Sequence, residues 1–391
     1  MSLGERVPNL RFPGFEGEWE EKRIGDIYSE RSERPSEEME LLSVTITDGV
    51  IPRTDIEWKD NSSEDKSNYK IVRIGDMAYN TMRMWQGACG ISSYEGIVSP
   101  AYTILKDAAL FNHDFMASLF KTERMINNFR KNSQGLTSDT WNLKYPQIAT
   151  IKLRLPTLSE QNKIANLFTL ISSRIAAQRK LVELLKKHKR GLIKRLFRPN
   201  EHTKWKSVRL GDVGTFHKGA PLSKADISED GKPFILYGEL YTTYGEIIKD
   251  VVRRTTAEID IPYLSRCGDV IIPTSGETAE EIATASCIMS DGVVLGGDLN
   301  IYRSEHIDGR FLAYAVRFII SRDISRIAQG VSVVHISATE LKRISVSIPS
   351  KDEQIRIISV LENYDNRILH SQEILKKMET TKDGLLQQLF V

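Results

Sequence analysis

The feature that most constrains this chain is a set of landmarks that recur in one order at a nearly constant offset. "WEEKRIGDI" begins at Trp19, and "WKSVRLGDV" begins at Trp205, 186 residues later. Gly75-Asp76 in "RIGDMAYNT" returns as Gly268-Asp269 in "RCGDVIIPT", an offset of 193. "LRLPTLSEQNKI" returns as "VSIPSKDEQIRI" at the same offset, pairing Pro156 with Pro349 and Glu160-Gln161 with Glu353-Gln354. "RLF" at 195–197 is matched by "QLF" at 388–390. One Gly-Asp pair is turn noise, but ordered landmarks at one offset mark a duplication. Each copy holds a globular part of about 140–150 residues followed by a long helical segment, within the usual size range of a domain.

The helical segments are one device used twice. Steps of four and three through the first give Ile164, Phe168, Ile171, Ile175, Gln178, Val182, Leu185, Lys189, Leu192 and Leu196. Adding 193 gives Ile357, Leu361, Tyr364, Ile368, Ser371, Leu375, Met378, Lys382, Leu385 and Leu389. Eight of the ten are apolar in both copies, and the polar exceptions coincide, as in a heptad seam with a specified register. A seam of this length makes a rod of roughly 50 Å. Its narrow apolar stripe needs a partner, and the other copy supplies one. The short connector "PNEHTK" (199–204) favours antiparallel pairing. The alternative is that each helix packs only onto its own domain. Leu167, Leu181, Leu184 and Ile193 widen the first stripe, as expected if it meets more than one neighbour. Ser159 and Asp352 are the expected N-caps, each followed by an acid in the first turn.

The globular parts read as mixed α and β. Short β-type runs ("LLSVTI", "YKIVRI", "DMAYNTM", "PAYTIL") precede the helical spacing of "FMASLFKTERMINNFRK". In the second copy "FILYGEL", "GDVIIPT" and "GVVLGGDLNIYRS" precede "GRFLAYAVRFIISRDISRIAQ". The expected fold class is α+β: two tandem mixed α/β domains separated by two long antiparallel coiled-coil helices. The expected bounds are 1–158 for the first domain, 159–198 for the central helix, 199–351 for the second domain and 352–391 for the last helix.

Composition narrows the function classes. Net charge is +2 over 391 residues, so any basic surface is local. No run of about eighteen apolar residues suggests a membrane span, and "MSLGERVPNLRFPGF" lacks a signal peptide's apolar stretch. Cys89, Cys267 and Cys287 are too scattered for a disulfide framework or zinc site. They are expected as buried or half-buried thiols of a cytoplasmic protein. The seven histidines are dispersed, and neither a phosphate loop, GxGxxG nor HExxH occurs. No catalytic residue and no metal ligand is expected in this chain.

Polar-aromatic loops stand out instead. "NTMRMWQGACG" offers Asn80, Arg83, Trp85 and Gln86, and "RKNSQG" offers Arg130, Lys131, Asn132, Ser133 and Gln134. The second copy offers Thr274, Ser275 and Glu277, then Arg326 and Gln329. Arg and Gln can contact purine edges through two hydrogen bonds; the competing reading is an ordinary polar loop. The central helix is basic over 174–198, with Glu183 its only acid.

The opening "VPNLRFPGFEGEWEEKRIGDI", with "LRLPTLSEQNKIANLF" and its weaker copy "VSIPSKDEQIRIISVL", resembles the specificity subunits of type I restriction-modification enzymes. The resemblance covers nearly the whole chain; "PSKDEQ" departs from the family's more usual Pro-Leu-rich form. It implies a non-catalytic subunit whose two recognition domains each read one half of a bipartite double-stranded DNA target. The helices would space the halves and dock two modification (methyltransferase) subunits, with restriction (motor-nuclease) subunits joining them. S-adenosylmethionine, ATP and magnesium would belong to those partners. A 50 Å rod corresponds to roughly fifteen base pairs, and the dissimilar readers imply a non-palindromic target. A scaffold that binds proteins rather than DNA, or an enzyme with an unrecognised site, would also fit the residues alone.

Overall fold

The computed structural model describes residues 7–46, 48–55, 62–199, 204–330 and 333–391. Connector residues 200–203, His202 included, and the loop residues 331–332 lie outside that set. The chain forms two compact units, one of residues 1–180 with 373–391 and one of 181–372. The central helix, Leu158–Leu196, and the distal helix, Lys351–Leu389, are 39 residues each. Each helix therefore belongs half to one unit and half to the other.

Each unit repeats one plan. In the first, Glu20–Arg23 pairs antiparallel with Lys152–Leu155 just before the central helix. In the second, Lys206–Arg209 pairs the same way with Ser345–Ile348 before the distal helix. The main sheet of the first unit orders Tyr28–Arg31, Tyr102–Asp107, Met77–Asn80 and Cys89–Ile91. That of the second orders Thr215–Lys218, Leu299–Arg303, Val270–Pro273 and Ser286–Ile288, then adds Ile247–Ile248.

The repeated Gly-Asp letters have a structural reason. Gly75 and Gly268 sit at φ +92° and +93°, where a side chain would be strained. The following aspartate turns back to accept from the backbone N–H of Arg73 or Arg266, both at 2.8 Å. Asp76 and Asp269 are buried, and each is held by a guanidinium, from Arg31 (2.7 Å) and Arg303 (2.8 Å) respectively. The arginines come from different strands, so the pairing is shared while its donor is not.

Both long helices start in the same way. The Gln161 amide donates to Pro156 O at 3.0 Å, and its Oε1 accepts from Asn112 N at 2.9 Å. Gln354 donates to Pro349 O at 3.1 Å and accepts from Asp308 N at 2.8 Å. Asn112 and Asp308 are in turn the N-caps of His113–Leu119 and Gly309–Phe318. One buried amide thus ties a long helix to a domain helix in each copy. The expected caps move by two residues. The helices begin at Leu158 and Lys351, and Thr157 and Ser350 accept from the backbone N–H groups of Glu160 and Glu353 at 3.4 Å. Ser159 and Asp352 lie inside the first turn. Thr and Ser are both favoured N-cap residues, and the strand pairing that ends at Leu155 and Ile348 fixes which is used.

Each domain helix expected as one piece is broken in two. Thr122 stops Glu123–Asn132 from continuing His113–Leu119: its hydroxyl donates to Leu119 O and accepts from Met125 N. In the second unit Gly309–Phe318 and Ser321–Ile327 are separate, because Ile319 and Ile320 both turn back to Ala315 O. Cys267 is exposed rather than buried, while Cys89 and Cys287 are buried; burial pushes the Cys89 thiol up to about 11.

Every apolar seam position is buried or half-buried. In the first unit Phe168 meets Phe390 (5.8 Å between ring centroids) and Arg179 meets Glu379 (3.1 Å), so the helices run antiparallel there. In the second, Lys189 meets Asp365 at 2.5 Å, while Ile193 and Phe197 share a core with Ile357, Ile358 and Leu361. Of the stripe-widening residues, Ile193 is buried and Leu167 packs on the first core, but Leu181 and Leu184 stay exposed.

Candidate nucleic-acid interface

The two polar-aromatic loops of the first copy are far apart in sequence and meet in the fold. The first follows strand Met77–Asn80. Asn80 Oδ1 accepts from Met82 N at 3.0 Å, and Arg83 N donates to Asn80 O at 3.1 Å, forming a tight turn. A short 3-10 turn, Met84–Gln86, follows and lies against helix Glu123–Asn132. The second loop leaves that helix through Arg130, Lys131, Asn132 and Ser133. It closes into a hairpin when Gln134 and Asn142 exchange backbone hydrogen bonds of 2.9 and 2.8 Å. Leu143 N donates to Thr81 O at 2.9 Å, and Trp85 packs edge-on against Trp141 at 5.3 Å.

Arg83, Arg130, Lys131, Asn132 and Gln134 are exposed, and Asn80, Trp85, Gln86 and Ser133 are half-buried. Arg130 donates to Asn127 and Asn132 to Asn128 O, leaving their planar ends at the surface. Trp141 was not among the sequence candidates. Its signal was available: it follows Gly135 of the Gln-Gly loop by six residues.

The second unit makes the same junction at the same offset. Ile336 N donates to Thr274 O at 2.9 Å, and Gln329 and His335 exchange backbone hydrogen bonds of 3.0 and 2.8 Å. Thr274 also joins Asp298 through its N–H at 2.8 Å and its hydroxyl at 3.3 Å. Ser275 is buried inside a strand pair opposite His335, so its side chain is not presented at the surface. Glu277 and Gln329 are exposed. Arg326 is exposed and lies 3.6 Å from Asp323. No tryptophan stands here, and Glu277, Glu280 and Glu281 follow the strand where the first unit has Arg83, Trp85 and Gln86. Equivalent scaffolding therefore presents a cationic aromatic surface in one unit and a more acidic one in the other.

A cleft of about 1100 Å³ in the second unit lies beside the Gly268-Asp269 turn. Charges lining it pair with one another, the half-buried Arg303 with the buried Asp269 and the half-buried Arg310 with Asp308. The equivalent recess of the first unit, about 390 Å³, contains His113 where the second has Gly309. Among the described residues no group of three potential ligands is placed to hold a metal ion, and no helix is long and apolar enough to cross a membrane.

Comparison with known proteins finds similarity to one kind of protein. Residues 202–380 match the family model described as the type I restriction modification DNA specificity domain. The type I restriction enzyme MjaVIII specificity subunit of Methanocaldococcus jannaschii is 24% identical over 263 residues, 61% of this chain and 61% of that protein. The chain thus aligns with less than two thirds of that relative. The putative MjaX specificity subunit of the same organism is 22% identical over 88% of this chain and 84% of its own length. Among solved structures, the S subunit of the type I restriction-modification system of M. genitalium aligns over 98% of this chain and 99% of its own, with TM-score 0.58 and 14% identity. A chain solved in work on complex assembly and conformational transition of the type I R-M system aligns over 98% and 99%, with TM-score 0.62 and 17% identity. At these identities the structures establish a shared fold.

Proposed function

We propose, from the match of residues 202–380 to the type I restriction modification DNA specificity domain and the similarity to specificity subunits, that the chain is a specificity subunit of this kind and recognises a bipartite DNA sequence, each unit reading one half. The observation that carries this is the repeated junction: Leu143 to Thr81 in one unit and Ile336 to Thr274 in the other join a strand-end loop to a Gln-Gly loop. One framework displaying two dissimilar sets of side chains suits two different half-sites, hence a non-palindromic target. The DNA-facing set is Asn80, Arg83, Trp85, Gln86, Arg130, Lys131, Asn132, Ser133 and Gln134 in the first unit. In the second it is Thr274, Glu277, Arg326 and Gln329.

The long helices link the units and set the separation of the half-sites. Leu170, Leu181 and Leu184 are exposed on the central helix, and such residues suit the docking of two modification subunits. Restriction subunits would complete the assembly. S-adenosylmethionine, ATP and magnesium would be bound by those partners, and this chain would contribute recognition rather than catalysis.

The test is methylation mapping of DNA from cells expressing this chain with its modification subunit, joined to binding assays on the mapped duplex. The expected result is a split target with unequal halves and affinity that falls steeply with salt, as phosphate contacts release counterions. A palindromic target, or binding without sequence preference, would overturn the reading.

A further inference from the structure

The hairpin closed by Gln134 and Asn142 carries an unusual tip. Leu136 is fully exposed, with a relative accessibility of 101%. Single exposed leucines are common on protein surfaces and need no explanation alone. This one sits on a turn that is held in place. Gly135 lies at φ +147°, and a Cβ there would come within 2.6 Å of Thr140 O, so the turn needs glycine. Thr140 closes it by donating to Thr137 O from both its N–H and its hydroxyl, each at 3.0 Å. At the base, Trp141 abuts Trp85, whose indole N–H is anchored on Met82 O at 3.1 Å. The leucine is thus displayed on a braced hairpin.

The surroundings indicate what it meets. Arg83, Arg130 and Lys131 are exposed on the two loops that form this surface, against one acid, Asp139, in the hairpin. An apolar tip carried on loops with exposed cations is complementary to a polyanion with an apolar feature recessed between its charges. The major groove fits that description. It admits a two-stranded ribbon, and the thymine C5-methyl is the one apolar group among its base edges. Resting on the DNA-recognition reading above, we propose that Leu136 is a specificity-determining residue that reads a thymine methyl in the half-site of the first unit. The arginines and lysine hold the hairpin on the flanking phosphates.

The experiment uses the complex with its modification subunit and a duplex carrying its mapped target. Each thymine of the first unit's half-site is replaced in turn by deoxyuridine, which removes only the methyl group. Wild-type affinity is expected to fall about fourfold at one position, the weight of one buried methyl group. Leu136→Ala is expected to bind the thymine duplex with a similar loss and to show no further loss with uridine there. Substitutions in the other half-site should affect both proteins equally. The inference is overturned if every uridine duplex binds wild type unchanged while target preference persists. It is equally overturned if Leu136→Ala keeps the full uridine penalty, or if it binds DNA normally but fails to assemble with the modification subunit. Loss of target preference in the wild-type complex would instead sink the DNA reading itself.

Discussion

Lys189 and Lys382 occupy equivalent seam positions, yet their surroundings differ. Lys189 is buried and reaches Glu246 at 3.1 Å and Asp365 at 2.5 Å, with its ammonium 4.9 Å from the centre of the Tyr314 ring. The Tyr314 hydroxyl donates to Asp365 as well. One cation therefore ties the central helix, the distal helix and a domain loop within one unit. Lys382 is half-buried with no such carboxylate among the described residues, and the position equivalent to Asp365 is Ser172. Burial, with Lys121 and Arg179 adding like charge, pushes the Lys382 ammonium below its usual value. The same letter in a repeat is an ionic joint in one copy and, among the described residues, a cation without an ion pair in the other.

The largest break in this comparison is Lys189→Met. It leaves Glu246 and Asp365 without their cation and should cost about 3 kcal/mol, read as a lower midpoint in urea unfolding of the full chain. Lys382→Met, the same change at the matching place, should leave stability equal or higher. Next in size, Gln161→Ala and Gln354→Ala should cost about 2 kcal/mol each, because each strands a backbone N–H and a proline carbonyl. Hydrogen exchange at the Asn112 and Asp308 amides should accelerate to a similar degree in the two variants, showing that this joint, unlike the lysines, is the same in both copies.

Ser172→Asp should sharpen the comparison by giving Lys382 its missing carboxylate, raising stability by up to about 1 kcal/mol at low salt and less at high salt. The smallest effect is on pH. The folded chain releases the Lys382 proton more readily than the unfolded one, whose lysine titrates near 10.5. Wild-type stability should therefore gain a contribution as pH rises from the lowered value towards 10.5, and lose it on the way down. In Lys382→Met that contribution should be absent, so its advantage at neutral pH should shrink in alkaline buffer.

Much of this was legible in the letters. A repeat offset exposes anything both copies use at the same position: the seam, the Gly-Asp turns and the Glu-Gln pairs. It also located the two loops of each unit, whose junction at 81–143 and 274–336 keeps the same offset. What remained hidden is chemistry the copies solve differently. The aspartate of the turn is held by Arg31 in one unit and Arg303 in the other, and these residues do not align. Glu246, the acid that secures Lys189, lies in a loop with no pattern to flag it. Ser275 looked available beside Thr274, but a strand alternates its side chains and sends that one inward. The helix caps lie two residues earlier than expected because Thr157 can also cap, though less strongly than Ser159, and the strand preceding them decides.

The core of the first unit includes Leu386, Leu389, Phe390 and Val391 alongside Trp19, Phe115 and Phe168. The second unit is one uninterrupted segment, residues 181–372. On the ribosome, at 5–20 residues per second, the 192 residues of that segment separate the two parts of the first unit by about 10 to 40 s. The half made first must therefore wait, its aromatic cleft unfilled, while the half made second folds ahead of it. During nascent-chain growth it is the amino-terminal unit that leaves its core open the longest.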